Sequence, residues 1–233
     1  MNNNEKYQTL AKFWDQAFLL DDDAKQKLKA SLKADSWCEL APSKELFEAV
    51  RTLTSQENVL DYGCGSGWGA ITFSKLGGQK VHAVDVSHNS IERLKIYLEY
   101  YQITNVKAET IAKDWLKDVP DETYDGVICS NVLDVLPLAM SEDLIHHLAR
   151  VLKPKAKCVI GLNFYITEAM KEAHGFNLTN DELYVDGVLR LLNKSDDEWK
   201  KLFSKDFEIS SLTYFKWPNE TKPTRRLFTL IRK

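Results

Sequence analysis

Val59-Leu60-Asp61-Tyr62-Gly63-Cys64-Gly65-Ser66-Gly67-Trp68-Gly69 is the stretch from which the fold is read. A β-type apolar run ends on an acid, and Gly63, Gly65 and Gly67 follow at every second position. The apolar residues beyond them suit a helix. Glycine at that spacing turns the backbone sharply and lets a ligand lie against bare peptide. The first turn of the following helix points free N–H groups at the same place. Asp61 is the discriminating residue. A carboxylate there repels a pyrophosphate, which nucleotide loops ordinarily welcome, and suits a ligand carrying an amine and a positively charged sulfur.

Outward from this turn the pattern alternates strand and helix. Residues 59–61, 80–85, 106–111, 124–130 and 158–163 read as five strands. A helix over 68–76 is stopped by Gly77-Gly78. Ser87 caps a second, with Ile91, Leu94, Leu98 and Tyr101 on one face. Ser141 starts a third, with Leu144, Ile145, Leu148, Val151 and Leu152 toward the core, and Pro154 stops it. Such β-α units in succession predict a parallel sheet with helices on both faces. Residues 1–55 read as helical, with Phe13, Trp14, Ala17 and Phe18 at helical spacing and Pro42 opening a third short helix. Residues 164–205 read as mostly helical from two capping-box signatures, Thr179 with Glu182 and Ser195 with Glu198. Two strands, 207–215 and 227–232, close the chain across the loop Trp217-Pro218-Asn219-Glu220.

A chain of 233 residues with 44% hydrophobic and 28% charged residues fits one elaborated domain with a sizeable core. The net charge of −3 argues against a broad nucleic-acid surface. Cys38, Cys64, Cys129 and Cys158 are far apart, with no C-x-x-C pair, which suits a reducing cytosol. No signal-peptide core and no stretch long enough to span a membrane is present, so a cytoplasmic location and no membrane partner are expected. No metal cluster emerges. His82, His88, His146, His147 and His174 read as structural, and only His174, in the late segment, could overlie the site.

Asp85 ends the second strand, and ligands of open parallel sheets bind at the carboxyl ends of strands near the switch in strand order. An acid there accepts hydrogen bonds from both ribose hydroxyls of a bound nucleoside. It also favours the helix N-terminus ahead of Ser87. Together, Asp61-x-Gly63-x-Gly65-x-Gly67, Asp85-Val86-Ser87, the run from Tyr124-Asp125 to Ser130-Asn131-Val132-Leu133, and Leu148-x-x-Val151-Leu152-Lys153-Pro154 resemble class I S-adenosylmethionine-dependent methyltransferases over residues 55 to 163. The resemblance implies an α/β fold: a seven-stranded, mostly parallel, doubly wound sheet ordered 3-2-1-4-5-7-6 with strand 7 antiparallel. S-adenosylmethionine is then the cofactor and S-adenosylhomocysteine the product. Domain parts follow as an N-terminal helical lid (1–55), a cofactor-binding core (56–163), a helical substrate cap (164–205) and a C-terminal strand pair (206–233).

Carried over by position, the resemblance places Asp61, Tyr62, Gly63, Cys64 and Gly65 at the methionine end, and Asp85 with Val86 at the ribose. Asp114-Trp115 falls where the adenine is held, and Ser130, Asn131 and Val132 lie beneath the sulfonium. Two departures stand out. Lys155-Ala156 replaces the usual glycines of a turn, and Asp134 stands where many members carry histidine. Asp134 could hold a cationic amine, accept its proton, or cap the short helix before Pro137.

A lid is expected from the N-terminal helix with Phe13, Trp14 and Phe18, aided by Trp37, or from 164–205, with Phe164, Tyr165, Met170, Phe176, Tyr184 and Trp199. Aromatic walls favour a small, partly apolar acceptor. The Asn/Asp-Pro-Pro-Tyr segment of nucleobase amino methylation is absent, which lowers nucleic acid as a substrate. The leading expectation is methyl transfer to an N, O or S atom of a small molecule. Its rivals are an NAD-dependent oxidoreductase, a non-catalytic S-adenosylmethionine-binding protein, and a methyltransferase of RNA or protein. Oligomeric state is not readable from sequence.

Overall fold

Side-chain alternation along the central strands decides the layering. In the computed structural model, which describes residues 1–233, Val59 and Leu60 face opposite sides of the sheet, as do Ile128 and Cys129, and Val159 and Ile160. Both faces are apolar because both are covered, as parallel strands require. Three N-terminal helices, α1 (Asn3–Ala17), α2 (Asp22–Ser31) and α3 (Lys44–Arg51), precede β1 (Asn58–Tyr62). The alternating core continues as α4 (Trp68–Lys75), β2 (Lys80–Asp85), α5 (His88–Tyr100), β3 (Val106–Thr110), α6 (Trp115–Asp118), β4 (Tyr124–Ser130), α7 (Leu138–Val151) and β5 (Leu152–Leu162). Next come α8 (Glu168–His174), β6 (Leu178–Thr179), β7 (Glu182–Val185), β8 (Val188–Leu192) and α9 (Asp196–Phe203), and finally β9 (Phe207–Phe215) and β10 (Arg225–Arg232).

The seven-stranded sheet runs β3-β2-β1-β4-β5-β10-β9, with β10 antiparallel to β5 and β9, as the family resemblance implies. Helices α3, α4 and α5 cover one face; α1, α6, α7 and α9 cover the other. Strand order switches direction at β1, so a crevice opens above the carboxyl ends of β1 and β4.

Several local expectations are corrected. The segment 164–205 is not mostly helical: between α8 and α9 it forms a three-stranded antiparallel sheet, β6-β7-β8. Thr179 with Glu182 is a hairpin there, because Asn180 and Asp181 take φ +51° and +62°, while Asp186-Gly187 turns the next hairpin at +52° and +76°. Ser195 with Glu198 does form a capping box, on α9. Helix α7 starts one turn before Ser141, after Pro137; the Ser141 hydroxyl is buried and donates to the Leu133 carbonyl at 2.7 Å. Pro42 lies before α3, whose cap is Ser43, accepting from the Leu46 N–H at 3.1 Å. Pro154 does not stop α7, which ends at Val151. β5 begins at Leu152, six residues before the expected start at 158, and its register with β4 shifts around Lys155, which takes the left-handed conformation, φ +64°.

Candidate functional site

The glycine turn begins where β1 ends. Gly63, Gly65 and Gly67 have φ of +66°, +53° and +83°, so each needs the freedom of a residue without Cβ. The N–H groups of Gly63 and Cys64 donate to the Val84 carbonyl at 2.9 and 3.0 Å, which moors the turn to β2.

Asp61 does not reach the cavity. It is 3% exposed and accepts the Ala70 N–H at 2.8 Å, so it closes the first turn of α4 from below. A Cβ on Gly69 would stand 2.8 Å from its Oδ2, which shows how closely the helix rests on the carboxylate. Burial pushes the Asp61 carboxyl up to about 7, Ala70 opposing the shift and Asp85 adding to it. With an unfolded value near ~3.9, the native state keeps a proton that the unfolded chain releases between about pH 4 and 7. The group therefore costs stability as pH rises through that window and adds no slope above it. At ~1.4 kcal/mol per unit the effect amounts to a few kcal/mol. Asp61→Asn should gain on the wild type from pH 4 to 7 in urea unfolding without ligand; parallel profiles would mean the buried carboxylate stays ionised.

Asp85 sits at the crevice edge, partly exposed. Its Oδ2 accepts the Gly65 N–H at 2.9 Å and its Oδ1 the Ser87 N–H at 2.8 Å, so one carboxylate joins the glycine turn to the start of α5. Burial raises its pKa against those backbone donors. Each oxygen retains acceptor capacity beyond one hydrogen bond, which is what a pair of hydroxyls needs.

These groups open on a cavity of about 500 Å³, within the range of small-molecule sites. Tyr62, Gly63, Cys64, Gly65, Asp85 and Val86 line one part of it, and Ser130, Asn131 and Val132 another. Burial holds the Cys64 thiol well above its ordinary range. Asp114 and Trp115 lie elsewhere. Asp114 is exposed, pairs with Lys117 at 3.0 Å, and lines an adjoining recess of about 350 Å³ that shares Tyr7, Tyr62 and Leu136 with the main cavity. Lys117 holds its carboxyl below the usual range. Trp115 lines neither space and meets His82 edge-on at 5.3 Å. His82 itself bridges Tyr124 and Glu109 at 2.9 Å each, and His174 is exposed and away from the cavity.

Asn163, at the end of β5, is a residue that the sequence did not nominate. Its side-chain oxygen accepts the Asn131 amide at 2.9 Å and an Arg225 N–H; its carbonyl accepts Arg226 Nε at 2.8 Å. Its N–H donates to Asp134 Oδ2 at 2.5 Å. Asp134 is therefore no acceptor-side group: it is fully buried, lines no part of the cavity, and positions Asn163 from behind. Asn131 is held at φ +57°, a conformation that asparagine tolerates better than most side chains. Arg225 lies over the Trp217 ring at 3.5 Å, and Glu220 matches its charge at 2.7 Å. An asparagine closing a core strand was the available signal; its partners arrive from 29 to 63 residues away.

Tyr7, Leu10, Ala11, Trp14 and Phe18 of the N-terminal segment roof the cavity. Asp15 latches this roof by accepting from Ser87 Oγ at 2.9 Å and from the Asn89 N–H at 3.0 Å, at the start of α5. Lys6 pairs with Glu182 of β7 at 2.6 Å. Trp37 stacks on Phe47 instead, and none of the six apolar side chains expected from 164–205 lines the cavity; that segment contributes Arg190.

The lining suits an adenosyl sulfonium. One carboxylate, Asp85, stands beside the turn, and at Gly65 a Cβ would reach within 3.3 Å of the Phe18 ring, so added bulk narrows the cleft there. A methyltransferase-domain family model matches residues 59–155. A ribosomal protein L11 methyltransferase of Lactobacillus johnsonii is 36% identical over 103 residues, 44% of this chain and 31% of that protein. A ubiquinone biosynthesis O-methyltransferase of Neisseria meningitidis is 23% identical over 145 residues, 62% of this chain and 57% of that protein. The chain thus spans between about a third and little over half of those curated relatives. In fold it is similar to the Burkholderia thailandensis 1,6-didemethyltoxoflavin-N1-methyltransferase, solved with 1,6-didemethyltoxoflavin and S-adenosylhomocysteine bound: TM-score 0.71 at 13% identity, covering 100% of this chain and 91% of that one. The chain thus carries a methyltransferase domain over residues 59–155, on a sheet ordered as in the class I S-adenosylmethionine-dependent methyltransferases that its sequence resembles, and S-adenosylmethionine is the cofactor of that domain.

Proposed function

We propose that this protein transfers a methyl group from S-adenosylmethionine to an N, O or S atom of a small molecule bound beneath α1. The observation that carries this is the roofed cavity itself: Asp85 and the glycine turn at one side, Asn131 and Asn163 at the other, Trp14 and Phe18 above. The cofactor supplies a methyl group on a positively charged sulfur, so the acceptor's lone pair forms the new bond while sulfur keeps the electrons of the old one.

The chain's own task is positioning. Asp85 takes the ribose hydroxyls, and Gly63 and Gly65 let the amino-acid end approach bare backbone. Asn131 and Asn163, locked to each other, orient polar atoms of the acceptor. No histidine or lysine lines the cavity, which favours alignment and water exclusion over proton transfer as the source of rate. The N-terminal segment acts as the lid and β6–β8 as the wall against which it closes.

The Lactobacillus relative's name specifies a protein acceptor, yet the match to it spans 103 residues. A roof latched at Asp15 and Lys6 favours acceptors small enough to be enclosed. The test is calorimetric titration with S-adenosylhomocysteine and with NAD, followed by labelling with methyl-tritiated cofactor. Binding of S-adenosylhomocysteine alone is expected, weakened about 10- to 100-fold in Asp85→Ala, as loss of a charged acceptor costs ~1.5–3 kcal/mol. Undiminished affinity would remove Asp85 from the ribose. Label in the protein or RNA fraction of an extract, with none in small molecules, would sink the small-acceptor assignment.

A further inference from the structure

Three charged side chains line the cavity: Asp85, Arg190 and Arg225. Asp85 belongs to the ribose end under the assignment above, on which the present inference rests. Arg225 is 5% exposed and already balanced, since Glu220 receives both its Nε and an Nη at 2.7–2.9 Å. Arg190 is different. It is half-buried on β8, pairs with no carboxylate, and donates no side-chain hydrogen bond. Its guanidinium is nonetheless held in place, over the Phe13 ring at 4.3 Å and the Trp14 ring at 5.6 Å. Aromatic faces fix the plane of the fork and leave its edge of N–H donors unspent.

A half-buried cation without a counter-ion is costly to keep, and an anionic ligand offsets that cost. The guanidinium edge matches a carboxylate in two parallel hydrogen bonds. Strand β8 packs on α1 and on residues 133–135, which places Arg190 on the β4 side of the cavity, where Val135 and Leu136 line the wall. Asp85 and the mooring of the glycine turn belong to β2, two strands away.

We propose that the methyl acceptor is a small carboxylic acid with a flat apolar body, its carboxylate paired with Arg190 and its body against Trp14, Val135 and Leu136. The N-terminal helix completes this anion site, because Phe13 and Trp14 orient the guanidinium. Binding of the acid and closure of the roof are then one event.

The experiment titrates S-adenosylhomocysteine-saturated protein with benzoate, 4-hydroxybenzoate and indole-3-acetate, each beside its primary amide. At least one acid should bind tenfold or more tighter than its amide. Arg190→Gln should abolish that preference while keeping the affinity for S-adenosylhomocysteine within twofold, and Arg190→Lys should restore part of it. Acids no tighter than amides, or a preference surviving in Arg190→Gln, would overturn the proposal. So would a tenfold loss of S-adenosylhomocysteine affinity in Arg190→Gln, which would give Arg190 to the cofactor's own carboxylate. Failure of the wild type to bind S-adenosylhomocysteine at all overturns the cofactor-site assignment and this inference with it; normal binding without acid preference overturns this inference alone.

Discussion

Gly63→Ala is expected to destabilise the protein by about 2–5 kcal/mol and to weaken S-adenosylhomocysteine binding more than tenfold. Two costs add. An alanine forced into the left-handed conformation at φ +66° costs ~1–2 kcal/mol. Its Cβ would also stand 2.3 Å from Val132 Cγ2, with the Val132 Cβ at 3.5 Å, and overpacking of that kind costs ~1–3 kcal/mol. Val132 is β-branched and cannot swing aside freely, so relief comes from displacing the turn. That displacement breaks the mooring to Val84 and moves a wall of the cavity. Gly77→Ala is the control. Gly77 has φ +90° but nothing within 4 Å of the added Cβ, so it should lose only the conformational part and bind S-adenosylhomocysteine normally. Urea unfolding and calorimetry of both variants check this; equal losses in the two would show that the clash at Val132 is absorbed.

Arg226→Met should cost about 3–5 kcal/mol, the range for breaking one side of a buried ion pair. Arg226 is 1% exposed, donates to the carbonyls of Asn163 and Lys194, and lies 3.5 Å from Asp196. Its charge also opposes that of Asp134, whose pKa burial raises and whose Oδ1 has no hydrogen-bond partner. Without the arginine, Asp134 favours its protonated form still more. Its native pKa then lies further above the unfolded value, so the deficit shrinks as pH falls and grows as pH rises toward neutrality. The double variant Asp134→Asn/Arg226→Met should lose less than the two single losses combined, because no uncompensated fully buried charge remains. Strict additivity in urea unfolding would show that the two groups do not interact.

The positions of β2 and β4 were legible, because burial on both faces leaves an apolar run that few other structures explain, and both begin and end where their sequences indicate. The largely exposed first half of β5 carries no such run and was missed. The 164–205 segment was not. Thr179…Glu182 and Ser195…Glu198 have the same spacing of residue types, yet only the second starts a helix. The residues just beyond each pair decide the outcome. Trp199 and Phe203 recur at four residues and pack in the core, whereas Asp186-Gly187 turns the chain back at once.

The site divides in the same way. The family resemblance implied the order of strands that brings β1 and β4 side by side; the sequence by itself determined the glycine turn and Asp85 at a strand end. These arise from φ preferences and from apolar patterning, both local in the chain. Tertiary structure alone decided where isolated charges point. Asp61 and Asp134, adjacent in sequence to lining residues, turn into the core because Ala70 and Asn163 offer N–H groups there. Asn163, Arg190 and Arg225 enter the cavity because β5, β8 and β10 converge on it from distant parts of the chain. A side chain's partner across such separations is set by packing, and no local pattern encodes it.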